Sequence, residues 1–153
     1  MGTRLHLIDL AHALINEIPQ VNIREHSLLH YSRRLIMHFA VSTTWGPTDT
    51  TRASLPFIFS ASALQSGDTV MIMLFHDAAT IAVKGSKDKM IPVGPPSRFD
   101  EVMSHANAEV IVCKPCAEAR GITSDMLEEN CRFGGMNDYH SHLSRDDCKA
   151  VSF

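Results

Sequence analysis

Cys113-Lys114-Pro115-Cys116 is a C-x-x-C pair, set directly after the apolar run Val110-Ile111-Val112 and directly before Ala117-Glu118-Ala119-Arg120-Gly121. A β-branched run that turns into a helix-forming segment puts the first thiol at the rim of an α/β sheet, where ligands bind. The unpaired N–H groups and positive dipole end of such a turn favour thiolate over thiol, and Lys114 and Arg120 add positive charge nearby. Three chemistries are open to the pair. It can cycle between dithiol and disulfide, supply two of four zinc ligands, or hold a sulfur atom as a persulfide on one thiolate while the other assists its release. The plain alternative is an inert, buried cysteine packing as a small hydrophobe.

Spacing alone does not choose among these. Zinc needs two further ligands, and neither a second C-x-x-C nor a paired histidine motif follows. Cys131, His140 and His142 could be recruited, but no spacing demands it, so neither a metal nor a cofactor is expected. A thioredoxin-like couple is chemically open, although the cysteines do not lie near an early βαβ start. Cys131 and Cys148 read as ordinary cysteines.

A second candidate group is the loop Thr44-Trp45-Gly46-Pro47-Thr48-Asp49, with Arg52 as a cation in reach. It leaves a first strand at the same sheet edge as Cys113, provided that the strands run parallel. There Thr44, Trp45, Gly46 and Arg52 would meet a ligand or incoming thiol; the plain alternative is helix capping, with Trp45 as a packing lid. His76 and Asp77 end a second strand on that edge as a base and its orienter, or in simple turn and cap roles. Phosphate-cradling signatures, G-x-G-x-x-G and G-x-x-x-x-G-K-[ST], are absent.

The elements that must position these residues alternate strand and helix from residue 34 onward. Strands are expected at 35–41, 69–75, 109–112 and 150–153. The helix after the first strand, capped by Asp49 or Thr50, runs to about Ser66 and stops at Gly67. Pro56 inside it predicts an irregular first turn or a later start. Further helical segments are expected at 76–83, 99–106, 124–130 and 137–144. Breakers stand at Gly85-Ser86-Lys87-Asp88-Lys89 and Gly94-Pro95-Pro96, and a glycine turn at Gly134-Gly135. This order points to a parallel sheet in a doubly wound α/β sandwich.

Residues 1–33 form a separate extension and 34–153 the compact domain. In the extension, Leu7, Ile8, Ala11, Leu14, Ile15 and Ile18 share one helical face that ends at Pro19. It is an added helix on the domain, a partner-binding arm or a poorly ordered leader, with His6, His12, His26 and His30 solvated in each case. A length of 153 residues suits one domain with a real core, and 44% apolar and 20% charged residues are ordinary for a globular protein. The net charge of −3 gives no reason to expect nucleic acid or an anionic membrane as partner. Val70-Met71-Ile72-Met73-Leu74-Phe75 is too short to span a bilayer, and a basic segment leading into an apolar one is missing at the start. A cytoplasmic protein is expected, and four cysteines in a reducing compartment favour free thiols, transient redox chemistry or metal binding over a disulfide framework.

From about Met37 to Phe153 the chain resembles the DsrE/DsrF-like family, which includes TusD-like sulfur-relay proteins. The resemblance rests on Met37-His38-Phe39-Ala40-Val41, the loop Thr43 to Asp49, Ala53 to Phe59, and Gly67-Asp68-Thr69-Val70-Met71-Ile72. Its most specific part is Ile111-Val112-Cys113 with Ala117 and Ala119-Arg120-Gly121-Ile122; Lys149-Ala150-Val151-Ser152-Phe153 closes it. It implies a flavodoxin-like three-layer α/β sandwich with a mostly parallel sheet, commonly assembled as homo-oligomers, trimers or hexamers. It also implies that the cysteine matching Cys113 accepts sulfur as a persulfide from a donor protein and passes it to an acceptor protein. Residues 1–36 have no counterpart in the family pattern, and Cys116 is not present in every sulfur-carrying member. The resulting expectation is a sulfur carrier or sulfurtransferase using Cys113, with Arg120 stabilising the anionic sulfur and Cys116 assisting release. The alternatives are a thiol–disulfide redox or redox-sensing protein using Cys113 and Cys116, and a non-enzymatic oligomeric binding module.

Overall fold

A computed structural model describes residues 35–92 and 97–153. The amphipathic helix and histidines expected in 1–33, and the breakers Gly94-Pro95-Pro96, lie outside the described residues. The fold belongs to the compact unit Ile36–Phe153.

Its strands are β1 (His38–Thr43), β2 (Thr69–Leu74), β3 (Ala108–Cys113), β4 (Cys131–Gly134) and β5 (Cys148–Ser152). Its helices are α1 (Thr50–Gln65), α2 (Phe99–Met103), α3 (Lys114–Glu118) and α4 (Met136–Leu143). All neighbouring strands pair parallel, in the order β4-β3-β2-β1-β5. Parallel pairing demands a crossover over one face between successive strands, which is what the intervening helices supply. Residues 38, 40 and 42 and their counterparts face one way; 39, 41 and 43 face the other.

On one face Val41, Val70, Ile72, Leu74, Val110 and Val112 join Ala53, Phe57, Ala61 and Leu64 of α1 and Phe99 and Val102 of α2 in the main core. On the other, Ala40, Met71, Met73, Ile111 and Cys113 form a smaller core, with Phe75, Tyr139 of α4 and Cys148 against it. Burial on both faces explains why the strands read as nearly continuous apolar runs. The segment carrying α4 joins β4 to β5, the two outermost strands, and so crosses the second face. The architecture is the three-layer, flavodoxin-like sandwich expected.

Local chemistry sets the boundaries. Asp49 caps α1 by accepting from the Arg52 N–H at 3.0 Å. Gly67, at φ +85°, ends it by donating to the Leu64 carbonyl at 2.9 Å. The helix does not start late: it runs unbroken from Thr50 through a buried Pro56, and the irregular turn is a 3-10 turn before it, Pro47–Asp49. Residues 76–82 form a 3-10 helix at the end of β2. The helix expected at 99–106 stops at Met103, where the Ser104 hydroxyl donates to the Asp100 carbonyl at 2.8 Å. The helix expected at 124–130 reduces to a 3-10 turn, Ser124–Met126. The glycine turn expected at 134–135 is instead the end of β4, whose Cys131 and Phe133 pack on the main core while Arg132 and Gly134 face the other way. Among the described residues no helix is long and apolar enough to cross a membrane.

Candidate functional site

Parallel strands deliver their carboxyl ends to one edge, and the C-x-x-C pair lies there. Register pairs Thr43 with Leu74, Leu74 with Val112, and Cys113 with Gly134. Cys113 is the last residue of β3 and the N-cap of α3, with Pro115 in the first turn, where a missing N–H costs no helix bond. It is 7% exposed. Cys116, one turn on, is half-buried and touches both cores. The two are joined by a disulfide across a Cα–Cα distance of 5.3 Å, within the span a disulfide needs.

Arg120 lies two residues past the end of α3, just before Gly121 with φ +68°. Its Nη1 donates to the Cys116 carbonyl at 2.9 Å and its Nη2 to Asp77 Oδ1. That hydrogen bond holds the Asp77 carboxyl below its ordinary value of 3.8. The Arg120 charge is thus paired, and its guanidinium ties the turn after β2 to the backbone of the cysteine pair. His76 has φ +48° and places Nδ1 3.4 Å from Asp77 Oδ1, with its side chain largely exposed.

The loop after β1 joins the same set through Gly46. A Cβ there would lie 2.6 Å from the Asp77 carbonyl oxygen, so only glycine lets the two loops meet. Thr44 is exposed, and its carbonyl accepts from the Ala78 N–H at 3.2 Å. Trp45 is 38% exposed and carries the Arg52 guanidinium 4.2 Å from its ring centroid, a cation–π contact. Arg52 also lies 3.6 Å from Asp49. The fold therefore brings Arg120, His76 and Gly46 against Asp77 and, through Arg120, ties that turn to the backbone of the cysteine pair. Trp45 and Arg52 stand beside them as a pair of their own. Lys114 reaches Glu118 at 3.9 Å.

Sequence reasoning missed two features. One is Asp77 as the partner of Arg120, 43 residues away; a carboxylate at one strand end and a cation at the next were the available signal. The other is a polar row at the amino-terminal end of the second face. Buried His38 bonds Thr69 Oγ1 through Nδ1 at 2.7 Å and His142 Nδ1 through Nε2 at 2.9 Å. His142 Nε2 lies 3.3 Å from Glu109 Oε2, whose other oxygen accepts from Arg132 Nε at 2.7 Å. Arg132 Nη1 donates to Asp138 Oδ1 at 2.8 Å, and Asp138 Oδ2 accepts from the Gly135 N–H at 2.9 Å. The row fastens both ends of α4 to the sheet. Burial, aided by Arg145, pushes His38 below the ordinary 6.5.

Cys131 stands apart, and burial pushes its thiol up to about 12. Among the described residues no group of three or more His, Cys, Asp or Glu side chains is arranged to hold a metal ion. Two cavities lie at the strands' amino ends, away from the cysteine pair. One, of about 360 Å³, is lined by His105, Glu109, Asn130, Cys131 and Arg132. The other, of about 260 Å³, is lined by His38, Thr69, Glu109, His142 and Arg145.

Comparison with known proteins places this geometry among relatives. Residues 37–149 match the model of the DsrE/DsrF-like family. The uncharacterized protein MJ0989 of Methanocaldococcus jannaschii is 29% identical over 114 residues, covering 72% of this chain and 96% of the relative. The crystal structure of the ychN protein from E. coli superposes with a TM-score of 0.61 at 21% identity, over 78% of this chain and 100% of that one. MTH1491 of Methanobacterium thermoautotrophicum, a protein of unknown function, gives a TM-score of 0.52 at 8% identity, over 77% and 99%. At these identities the two structures speak for the fold alone.

Proposed function

Because the chain belongs to the DsrE/DsrF-like family, which supports a sulfur-relay type of role, we propose that it carries sulfur as a persulfide on Cys113. The observation that supports this reading is the position of Cys113, at the carboxyl end of β3, bonded to Cys116 within one turn of α3. With the pair reduced, the Cys113 thiolate attacks the outer sulfur of a donor persulfide, R–S–SH. The products are Cys113–S–SH and R–S⁻. The outer sulfur then passes to an acceptor thiolate in the same way. Alternatively, the Cys116 thiolate attacks the Cys113 sulfur, expels HS⁻ and leaves the Cys113–Cys116 disulfide. Shelter in the smaller core keeps the Cys113 sulfur from bulk water, while a persulfide sets its outer sulfur about 2 Å beyond.

The partners in this reading are sulfur donor and acceptor proteins, and the carrier is a cytoplasmic homo-oligomer, trimeric or hexameric. Residues 34–153 are the carrier domain and 1–33 an extension to it. Arg120 acts from its tie to Asp77 and the Cys116 carbonyl. The loop of Thr44, Trp45 and Gly46, with Arg52 and His76, receives the partner's sulfur-bearing residue. The test is transfer: reduced protein incubated with a persulfide donor gains cyanide-reactive sulfur, and Cys113→Ser gains none. Equal uptake by the variant overturns the reading.

The bond between the two cysteines favours a second reading, a thiol–disulfide couple in which both sulfurs cycle. A reversible two-electron titration against a dithiol ladder, with no uptake of sulfur from the donor, would select it.

A further inference from the structure

The two sulfurs of the pair differ in access. Cys113 is 7% exposed and sits in a core cluster whose other buried members, Ala40, Met71, Met73 and Ile111, are 0% exposed. Cys116 is half-buried on a turn whose Lys114, Pro115 and Glu118 are exposed. Attack on a disulfide requires the nucleophile to reach the target sulfur along the extension of the S–S bond, so rates follow access to each sulfur. Around Cys113 the space is filled by the methionine and isoleucine side chains of the smaller core. Cys116 touches both cores too, but as a residue it is the more exposed of the two.

We propose that Cys116 is the sulfur a reducing thiol attacks when the Cys113–Cys116 disulfide is reset, with Cys113 leaving as the thiolate. This rests on the sulfur-carrier reading, in which the disulfide is the state left after sulfide is expelled. In the first step R–S⁻ bonds to Cys116, the Cys113–Cys116 bond breaks, and the electron pair departs on Cys113: R–S⁻ plus disulfide gives Cys116–S–S–R plus Cys113–S⁻. A second thiol of the reductant displaces Cys116, giving R–S–S–R and the free pair. The reductant is oxidised by two electrons, and the sulfur-storing thiolate is regenerated in the first step. The labour is thus divided: Cys113 stores sulfur in shelter, and Cys116 meets the reductant. Arg120 is a positioning residue in this step. Its Nη1 holds the Cys116 carbonyl at 2.9 Å and Asp77 holds its guanidinium, so the attacked residue keeps its place as the bond breaks.

The experiment treats the oxidised full-length protein with glutathione, quenches with N-ethylmaleimide and maps both labels by tandem mass spectrometry. Glutathione on Cys116 and maleimide on Cys113, in about tenfold excess over the reverse, is the expected result. Glutathione on Cys113, or an even split, overturns the proposal. Where no mixed disulfide is captured, single-cysteine variants decide. At pH values where each thiol is fully ionised, Cys116 in Cys113→Ser must exchange with glutathione disulfide about tenfold faster than Cys113 in Cys116→Ser; equal or reversed rates overturn it. Loss of sulfur uptake from a persulfide donor would sink the carrier reading instead, whichever cysteine the glutathione marks.

Discussion

Replacing Gly46 with alanine tests how tightly the loops of the site are locked together. Gly46 has φ −97° and ψ −173°, extended backbone that any residue adopts, so its identity is set by space and not by conformation. The added Cβ would stand 2.6 Å from the Asp77 carbonyl oxygen and 3.0 Å from its carbonyl carbon. A carbon–oxygen contact settles near ~3.3 Å, so one of the loops must retreat by about 0.7 Å. The obstacle is backbone, and the Asp77 side chain is held by Arg120, so no flexible side-chain end can yield. Overpacking of this kind costs ~1–3 kcal/mol, which lowers the melting temperature of a domain this size by about 4–12 °C. Urea unfolding of both proteins reads the difference directly, at unchanged m. Gly135→Ser serves as the control, because a Cβ there meets nothing within 4 Å and serine suits the N-cap of α4; it should stay within ~0.5 kcal/mol of wild type. A Gly46→Ala protein as stable as the control would refute the claim that the loops after β1 and β2 are locked through Asp77.

Three further outcomes follow from the electrostatics. The Asp77 carboxyl is held below its ordinary 3.8 by Arg120, so its contribution is present above that value and is lost as the pH falls through the lower, folded one. Acid unfolding of Asp77→Asn should lack that loss, and identical acid profiles would count against the tie. His38 is pushed below 6.5 chiefly by burial, so the unfolded chain binds more protons just under that pH and stability declines as the pH drops from 6.5 towards the folded value. Urea midpoints at pH 7.5 and 5 should differ less in His38→Gln than in wild type; an unchanged difference contradicts the buried, neutral histidine. Cys131, pushed up to about 12 by burial, should resist iodoacetamide at pH 8 in the folded, reduced protein, and labelling as fast as a model thiol would show that it is not sheltered.

The fold was legible because its signals are local and repeated. The apolar runs of β1, β2 and β3 announce strands buried on both faces, and Asp49 and Gly67 mark the ends of α1. β4 escaped because four residues with a terminal glycine look like a turn until β3 is there to pair with them. The helix expected after residue 123 failed since Thr123 to Asn130 carries helix-compatible residues without a buried stripe, and only Leu127 reaches the core. Cys113, Cys116 and Arg120 could be singled out from spacing beside a strand end. Their ties could not: Asp77 meets Arg120, and His38 meets His142 104 positions away, only after parallel strands bring distant segments to one edge or face. Trp45 and Arg52 were expected to meet a ligand at this edge, and the sequence held no sign that they stack on each other.

The central claim, that Cys113 holds transferable sulfur, is tested most directly by intact-protein mass spectrometry. The full-length protein is reduced, freed of reductant and exposed briefly to a persulfide donor. The account predicts a gain equal to one sulfur atom in wild type, mapped to Cys113, with no gain in Cys113→Ser. A gain of the same size in Cys113→Ser, or no gain in a Cys116→Ser variant that cannot expel sulfide by closing the disulfide, would contradict it.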